Sequence, residues 1–237
     1  MSDLWTMIWK ETKDLLFQGG WRAFIRPGIV IGTIGIVLPL QMRTDWLTFN
    51  ALEITLVIFV SFFFILNFIG DAIAGEHERH TLETLLASRI SDRAILLGKM
   101  IVTVGYAWAM IIVSLLLGAL VLNVTNGTGA WAFYTPVGLL FYLFVLSLLT
   151  SLLVASGGVL ISLHSPTVRQ AQQTLILCTL IFGVALGLGF KAAPASFFLS
   201  LSNNQILLLI LAVLAILDAI LLGIALVSFK RERLILN

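Results

Sequence analysis

Six apolar stretches divide the chain, and each is long enough, or nearly long enough, to cross the roughly 30 Å of hydrocarbon in a bilayer. Backbone N–H and C=O groups find no water in that layer, so a spanning stretch of this kind pairs them internally as a helix. The composition, with 59% hydrophobic and 11% charged residues, agrees, because soluble domains carry about 25% charged residues. We therefore predict an all-α membrane protein with six transmembrane helices, over residues 27–40, 54–74, 100–122, 137–161, 174–190 and 206–229.

The first and fifth of these stretches are shorter than the roughly 20 residues that a straight span needs. We expect the first to extend back through Trp21, with Arg22 and Arg26 reaching to the headgroups on their apolar stems. In a chain of 237 residues, six spans leave no room for a second soluble domain of ordinary size. Residues 1–237 are therefore expected to form a single transmembrane domain.

The distribution of Lys and Arg predicts which side each loop faces, because the cytoplasmic loops of membrane proteins carry the excess of both. With the N-terminus inside, only Arg43 and Lys191 of the 14 basic residues lie outside, so both termini are predicted to be cytoplasmic. The net charge of +2 is too small to indicate a nucleic-acid partner. The basic residues on the cytoplasmic side are Lys10, Lys13, Arg22, Arg26, Arg79, Arg89, Arg93, Lys99, Arg169, Lys230, Arg231 and Arg233.

The N-terminal segment 1–20 is predicted to form an amphipathic interfacial helix, over residues 2–18. Leu4, Ile8 and Leu15 lie near one face of this helix, while most of its charged side chains lie elsewhere. Aromatic residues beside lysines are typical of a helix in the headgroup layer, which makes membrane lipid an expected partner. An ordinary lead-in to the first span is the alternative interpretation, and the two overlap.

Two of the predicted outer loops have unusual compositions. Residues 123–136 carry no charge, and their two matches to the glycan acceptor pattern, at Asn123 and Asn126, are interpreted as chance matches. Residues 191–205 contain apolar side chains, including Phe197 and Phe198, although they should face outward. We predict that this outer loop forms a short re-entrant segment before the sixth span.

The predicted cytoplasmic segment between the second and third spans has the most informative pattern. Two helices joined by a tight turn fit it, the first running from about Gly75 to Ala87. Ser91 or Asp92 is then the N-cap of the helix that becomes the third span. Opposite charges lie three and four residues apart on the first helix, and leucines line its other face, which suits it to docking a cytoplasmic partner. The charged residues are Glu76, Arg79, His80 and Glu83, and the leucines are Leu82, Leu85 and Leu86.

This segment resembles the signature loop of ABC-2 type permeases, the membrane subunits of a class of ATP-binding-cassette exporters. The family pattern is Glu-Arg, a small residue, Thr-Leu-Glu and a leucine pair, followed by Gly-Lys or Ala-Lys at the entrance to the third span. The chain departs from it at His80, where a small residue is usual. The matching residues are Glu78, Arg79, Thr81, Leu82, Glu83, Leu85, Leu86, Gly98 and Lys99.

The resemblance implies the permease subunit of an exporter, which moves its substrate across the cytoplasmic membrane of a prokaryote by alternating access. It implies two partners: a pair of cytoplasmic ATPase subunits, and a second permease copy that forms a homodimer or paired heterodimer. Residues 75–99 would be the coupling loop, containing the coupling helix that receives the ATPase stroke. The implied coupling residues are Glu76, Glu78, Arg79, His80, Thr81, Leu82, Glu83, Leu85 and Leu86.

The chain itself has no pattern for ATP hydrolysis. A phosphate-binding loop needs Gly-x-x-x-x-Gly-Lys-Ser/Thr, but Met100 follows Gly98-Lys99 and Arg93 occupies the first glycine position. ATP and Mg²⁺ are therefore expected on the partner ATPase, with no catalytic residue and no cofactor in this chain. His77 and His80 lie on one helical face, but no second ligand cluster accompanies them, so no metal site is predicted.

Three polar residues within or near the spans are candidates for a transport path. A carboxylate at Asp218, near the middle of the last span, is unfavourable by roughly 2.5–3.5 kcal/mol unless it faces protein or water. It either contacts substrate or is a structural residue held by protonation or a hydrogen bond. Asn67 and Asp71 either line an entry route or cap the end of the second span, and capping is the favoured interpretation.

Two other functions stay open at this stage. One is a haem-exporter-like subunit of cytochrome c maturation, which is similar in length and number of spans. The other is a membrane enzyme or scaffold without transport, which would need a buried catalytic group or a partner-binding domain. The cargo cannot be read from the chain, although spans with almost no charge favour lipids, hydrophobic drugs or peptides over highly charged solutes.

Overall fold

The computed structural model describes residues 2–17, 22–48, 51–78, 90–126, 131–135, 138–192 and 202–229. This part of the chain is helical almost throughout, with one isolated bridge between Thr48 and Thr135, so the predicted all-α class is confirmed. A π-helical turn over Thr33–Val37 and a 3₁₀ helix over Arg43–Leu47 accompany the α-helices. The α-helices are α1 (Ser2–Phe17), α2 (Arg22–Gly32), α3 (Leu38–Met42), α4 (Ala51–Glu78), α5 (Asp92–Asn126), α6 (Leu139–Leu163), α7 (Val168–Ala192) and α8 (Asn203–Ser228).

Three helices among the described residues are both long enough and apolar enough to cross a membrane. They are Asp92–Thr125 within α5, Leu139–Leu163 in α6 and Asn204–Ser228 within α8. Two shorter apolar helical segments, Pro27–Met42 and Ile54–Leu66, fall in the first two predicted spans. The described helices thus include three membrane-capable spans, and the count of six stays a prediction.

The first predicted span is a helix of mixed type. In the described residues this helix begins at Arg22, before the predicted start of the span at residue 27, and Trp21 lies outside the description. A π turn joins α2 to α3, and the backbone angles stay helical throughout. The helix ends at Arg43, whose φ of 54° lies in the left-handed region that costs an L-residue about 1–2 kcal/mol. The chain then turns through the 3₁₀ helix, which carries the buried side chains of Trp46 and Leu47.

Helix α4 does not end where a separate cytoplasmic helix was expected to begin. The predicted start at about Gly75 is not seen, because α4 continues through that residue to Glu78. A helix can leave the hydrocarbon without a break, since each backbone group is already paired within it, and no proline interrupts this stretch. The start predicted for the helix that contains the third predicted span, with Ser91 or Asp92 as its N-cap, agrees with the structure: α5 begins at Asp92, and the N–H groups of Ala94 and Ile95 donate to the Ser91 carbonyl at 2.9 and 3.1 Å.

The described residues divide into two compact units. Unit 1 comprises Met1–Ile65 and Leu97–Ser151, and unit 2 comprises Leu66–Leu96 and Leu152–Asn237. In unit 1 the side chains of Ser61 and Thr150 are hydrogen-bonded at 3.0 Å, which joins α4 to α6 through buried hydroxyls. In unit 2 the backbone N–H of Ala74 donates to Ser162 Oγ at 2.8 Å. Hydrogen bonds of this kind between helices add to van der Waals packing in hydrocarbon, where the hydrophobic effect does not drive helix association.

Three helical segments are tied together around Trp46 and Leu47 in unit 1. The backbone N–H of Thr135, which precedes α6, donates to the carbonyl of Leu47 at 2.7 Å. Trp46, next to Leu47, is buried so close to α5 that a Cβ on Gly118 would lie 2.7 Å from its Nε1. The 3₁₀ helix after the first predicted span is therefore fixed both to α5 and to the segment before α6.

Several predictions fall outside this description. Of the predicted re-entrant segment, residues 193–201 lie outside the described part, which shows α7 ending at Ala192 and α8 starting after a capping box. In that box the Gln205 N–H donates to Ser202 Oγ, and the Ser202 N–H donates to Gln205 Oε1. The re-entrant segment and the single-domain organisation stay predictions.

Candidate functional site

The predicted coupling loop, residues 75–99, is described at its two ends. Glu76 and Glu78 lie on the last turn of α4, and Gly98 and Lys99 lie near the start of α5. The middle of the loop lies outside the described residues, and with it most of the predicted coupling residues. Those are Arg79, His80, Thr81, Leu82, Glu83, Leu85 and Leu86.

Gly98 lies directly against the N-terminal helix α1. A Cβ on Gly98 would lie 2.7 Å from the Cβ of Met7, a separation that real Cβ atoms do not adopt, so the two helices meet there with no room for a side chain. Met7 is fully buried. The glycine of the Gly-Lys pair therefore allows α1 to pack on the backbone of α5.

Lys99 forms an ion pair with the same helix. Its Nζ lies 3.1 Å from Glu11 Oε1, and the side chains of Lys99 and Glu11 are 6% and 17% exposed. Lys10 Nζ approaches the same oxygen at 3.6 Å, so the carboxylate lies between two ammonium groups. Among the described residues no hydrogen bond reaches Glu11 Oε1, so charge attraction rather than hydrogen-bond geometry holds this contact. Because so little water reaches Lys99, loss of the Glu11 carboxylate would cost more here than at an exposed ion pair.

The opposite side of α1 is exposed and aromatic. Trp5 and Trp9, one helical turn apart, are both exposed, and Lys13 Nζ lies 5.0 Å from the centre of the Trp9 ring. The prediction of an amphipathic helix over residues 2–18 is close to the observed Ser2–Phe17. The predicted apolar face lies only partly buried, and Met7, which the pattern did not single out, is the residue buried against α5.

Glu78 contacts the start of another helix in unit 2. Its Oε2 accepts a hydrogen bond from the backbone N–H of Val168, the first residue of α7, at 3.1 Å. The first N–H groups of a helix have no partner within it, and a carboxylate there is also favoured by the helix dipole. Glu78 thereby links the end of α4 to α7. Sequence reasoning missed Val168, because the acceptor that caps it comes from a distant part of the chain.

Asp218 is the transport-path candidate whose side chain the structure describes. It is 3% exposed on α8, and within the described structure neither carboxylate oxygen has a hydrogen-bond partner. It therefore faces protein, as expected. Asn67 and Asp71 lie on α4, but their side chains are outside the description, as is that of His77. The described residues hold no group of three side chains that could bind a metal.

The comparisons with known proteins bear on the central part of the chain. The model of one family, described as ABC-2 family transporter protein, matches residues 47–201. No curated protein matches the chain. The matched region contains α4 to α7 and both ends of the coupling loop, and it leaves out α1 and α8. Because it covers more than half of the chain, the protein belongs to the ABC-2 transporter family as a multi-pass membrane permease of an ABC transporter.

Proposed function

We propose that the chain is the permease subunit of an exporter, in which separate cytoplasmic ATPase subunits drive alternating access through residues 75–99. The observation that carries this proposal is that each described end of the coupling loop is bonded to a neighbouring helix. Glu78 holds the first N–H of α7, while Gly98 and Lys99 hold α1. A segment that receives a stroke moves other helices only when it is joined to them.

The six-span topology, with both termini in the cytoplasm, is supported by which segments are bonded together. Thr48 and Thr135 are paired, and this topology puts both outside. Glu78 and Val168 are paired, as are Glu11 and Lys99, and it puts all four inside. These contacts within each unit agree with the charge distribution, which on its own predicts the same sides. The proposed location is the cytoplasmic membrane of a prokaryote.

The proposed partners follow from family membership and from the number of spans. An ABC-2 permease implies an ABC ATPase, which would bind ATP and Mg²⁺ and carry out the hydrolysis. Six spans are half of the usual exporter set, so we propose a second permease copy, with a homodimer as the simplest arrangement. Lipid would cover the exposed apolar faces of the spans, such as Leu177, Leu180 and Ile181 on α7.

Asp218 is proposed to lie on the transport path. Within the part of the chain that the structure describes, the Asp218 carboxyl group has no hydrogen-bond partner, and a buried carboxyl group of this kind contributes nothing to stability that a leucine could not supply. Its presence in an apolar helix is then better explained by contact with the passing cargo. Apolar or amphiphilic molecules are the cargo class that spans with almost no charge favour.

Co-purification with the partner ATPase tests the coupling proposal. The variant combines Glu78→Gln, Arg79→Gln and Glu83→Gln, and we expect it to reach the membrane normally but to lose the bound ATPase. Asp45→Asn on the exposed outer 3₁₀ helix is the matched control, because it produces the same net change of charge on the opposite side. A triple variant that keeps the ATPase would place the coupling contact elsewhere.

A further inference from the structure

An outer segment of unit 1 presents two exposed aromatic side chains. Trp131 and Phe133 are each 67% exposed, whereas the neighbouring Tyr134 is buried. Large aromatic side chains gain most from leaving water, and a chain free to fold them inward would do so. Their exposure in the segment 131–135 therefore needs an explanation.

This segment is held in place by hydrogen bonds on both sides of the exposed rings. The side chain of Asn123, near the end of α5, forms two hydrogen bonds with the backbone of Ala132. Its Oδ1 accepts from the Ala132 N–H at 2.6 Å, and its Nδ2 donates to the Ala132 carbonyl at 2.8 Å. Tyr134 Oη donates to the Leu115 carbonyl at 2.9 Å. With the bond from the Thr135 N–H to Leu47, these contacts fix the backbone that carries Trp131 and Phe133.

The exposed rings continue an apolar surface. Leu116, Leu120 and Val124 are exposed at intervals of four residues along α5, and they form a stripe that faces acyl chains if α5 spans the bilayer. Because Asn123 binds Ala132, Trp131 and Phe133 lie at the depth where this stripe ends. That depth is the boundary between acyl chains and headgroups, where tryptophan is enriched in membrane proteins.

The absence of charged residues around the two rings also favours contact with lipid. Residues 123–136 contain no charged side chain, so the loop offers no complementary charge to a soluble protein. An indole ring, with an apolar body and one N–H donor, suits a boundary that is apolar on one side and wet on the other.

We propose that Trp131 and Phe133 are a rigid anchor in the outer-leaflet lipid interface, holding the outer ends of α5 and of the first span at the membrane surface. The proposal rests on the outward orientation in the proposed function. Because the loop is uncharged, the anchor takes zwitterionic as readily as anionic lipid.

Fluorescence quenching in sealed vesicles of phosphatidylcholine tests the anchor. The full chain is reconstituted with and without Trp131→Phe, and the difference between the two emissions isolates Trp131 from the other tryptophans. We expect phosphatidylcholine brominated near the headgroup to remove most of this emission, and external iodide to remove little. The matched control is Trp46→Phe, whose difference signal should resist both quenchers because Trp46 is buried in protein.

Two outcomes would overturn the anchor. Quenching of Trp131 by iodide alone would place the ring in water, and resistance to both quenchers would place it under protein, such as a second copy. The proposed function is measured separately, as co-purification of the ATPase with the same preparation. Labelling of Ala132→Cys, in a Cys178→Ser background, with an impermeant thiol reagent reports the side of the membrane. Lipid quenching with labelling only from the cytoplasmic side would overturn the outer-leaflet assignment and the proposed topology together, while ATPase binding is scored independently.

Discussion

Lys99 of α5 and Glu11 of α1 form an ion pair across 3.1 Å, beside the point where Gly98 meets Met7. The pair joins the last residues of the predicted coupling loop to the helix at the N-terminus. A displacement of the start of α5 would therefore be passed to α1 through a charge contact and a close backbone approach. The ion pair and the close backbone approach can each be tested with a single substitution.

Glu11→Gln should destabilise the protein by about 1–3 kcal/mol, because Lys99 would keep its charge in a nearly buried position without its carboxylate. The cost is below that of a fully buried pair, since Glu11 retains some contact with solvent. Thermal unfolding in detergent measures it. Asp14→Asn on the same helix is the control and should change stability by less than about 0.5 kcal/mol, because its contact with Lys10 is exposed. Equal losses in the two variants would show that the Lys99 contact is not special.

Gly98→Ala should displace α1 and destabilise the protein by about 1–3 kcal/mol, because the added Cβ would collide with the Cβ of Met7. Gly105→Ala on the same helix is the matched control. No atom lies within 4 Å of a Cβ at that position, so the exchange should stabilise α5 by about 0.5–1 kcal/mol. Unfolding temperatures of the two variants should thus move in opposite directions, and a stable Gly98→Ala protein would argue against the close contact.

Glu78→Ala should reduce ATP-driven transport much more than stability. The exposed hydrogen bond to Val168 contributes about 0.5–1 kcal/mol, but it is the link from the coupling loop to α7. Glu78→Gln keeps an oxygen acceptor and should retain more transport than Glu78→Ala. Transport per ATP hydrolysed in vesicles is the measurement. If alanine and glutamine behaved alike, the lost charge rather than the hydrogen bond would explain the defect.

Asp218→Leu should raise the stability of the protein by about 1–3 kcal/mol, because an apolar side chain replaces a buried carboxyl group that has no hydrogen-bond partner in the described structure. The same change should abolish transport if Asp218 contacts the cargo, and Asp218→Asn should impair it while the complex still assembles. Wild-type transport by both variants would leave Asp218 without a role in the path. The two measurements, unfolding temperature and transport rate, separate the structural effect from the functional one.

Much of the local structure was predictable, because it depends on neighbours in sequence. A helix in hydrocarbon pairs its own backbone groups, so apolar length alone indicated where α5, α6 and α8 lie. The start of α5 at Asp92 follows from capping chemistry within a few residues. The boundary predicted near Gly75 was wrong, because charged residues can continue a helix past the membrane surface.

The contacts that join the two ends of the predicted coupling loop to other helices were not predictable from the sequence. Sequence pattern marked Gly98, Lys99 and Glu78 as members of a family motif, but gave no sign of what they touch. Their partners, Met7, Glu11 and Val168, are distant in sequence, and nothing in the spacing of either segment records the other.

Residue pattern alone predicted a helical membrane protein, the approximate positions of its helices and the side that its basic loops face. These properties are sums over local residues: apolar length, helix capping and the count of positive charges. The packing of α1 on the start of α5 and the capping of α7 by Glu78 became visible only in the folded structure. It also showed that Asp218 is buried with no hydrogen-bond partner among the described residues. Close packing depends on how the shapes of two segments fit together, and local sequence pattern does not show which distant segments come into contact.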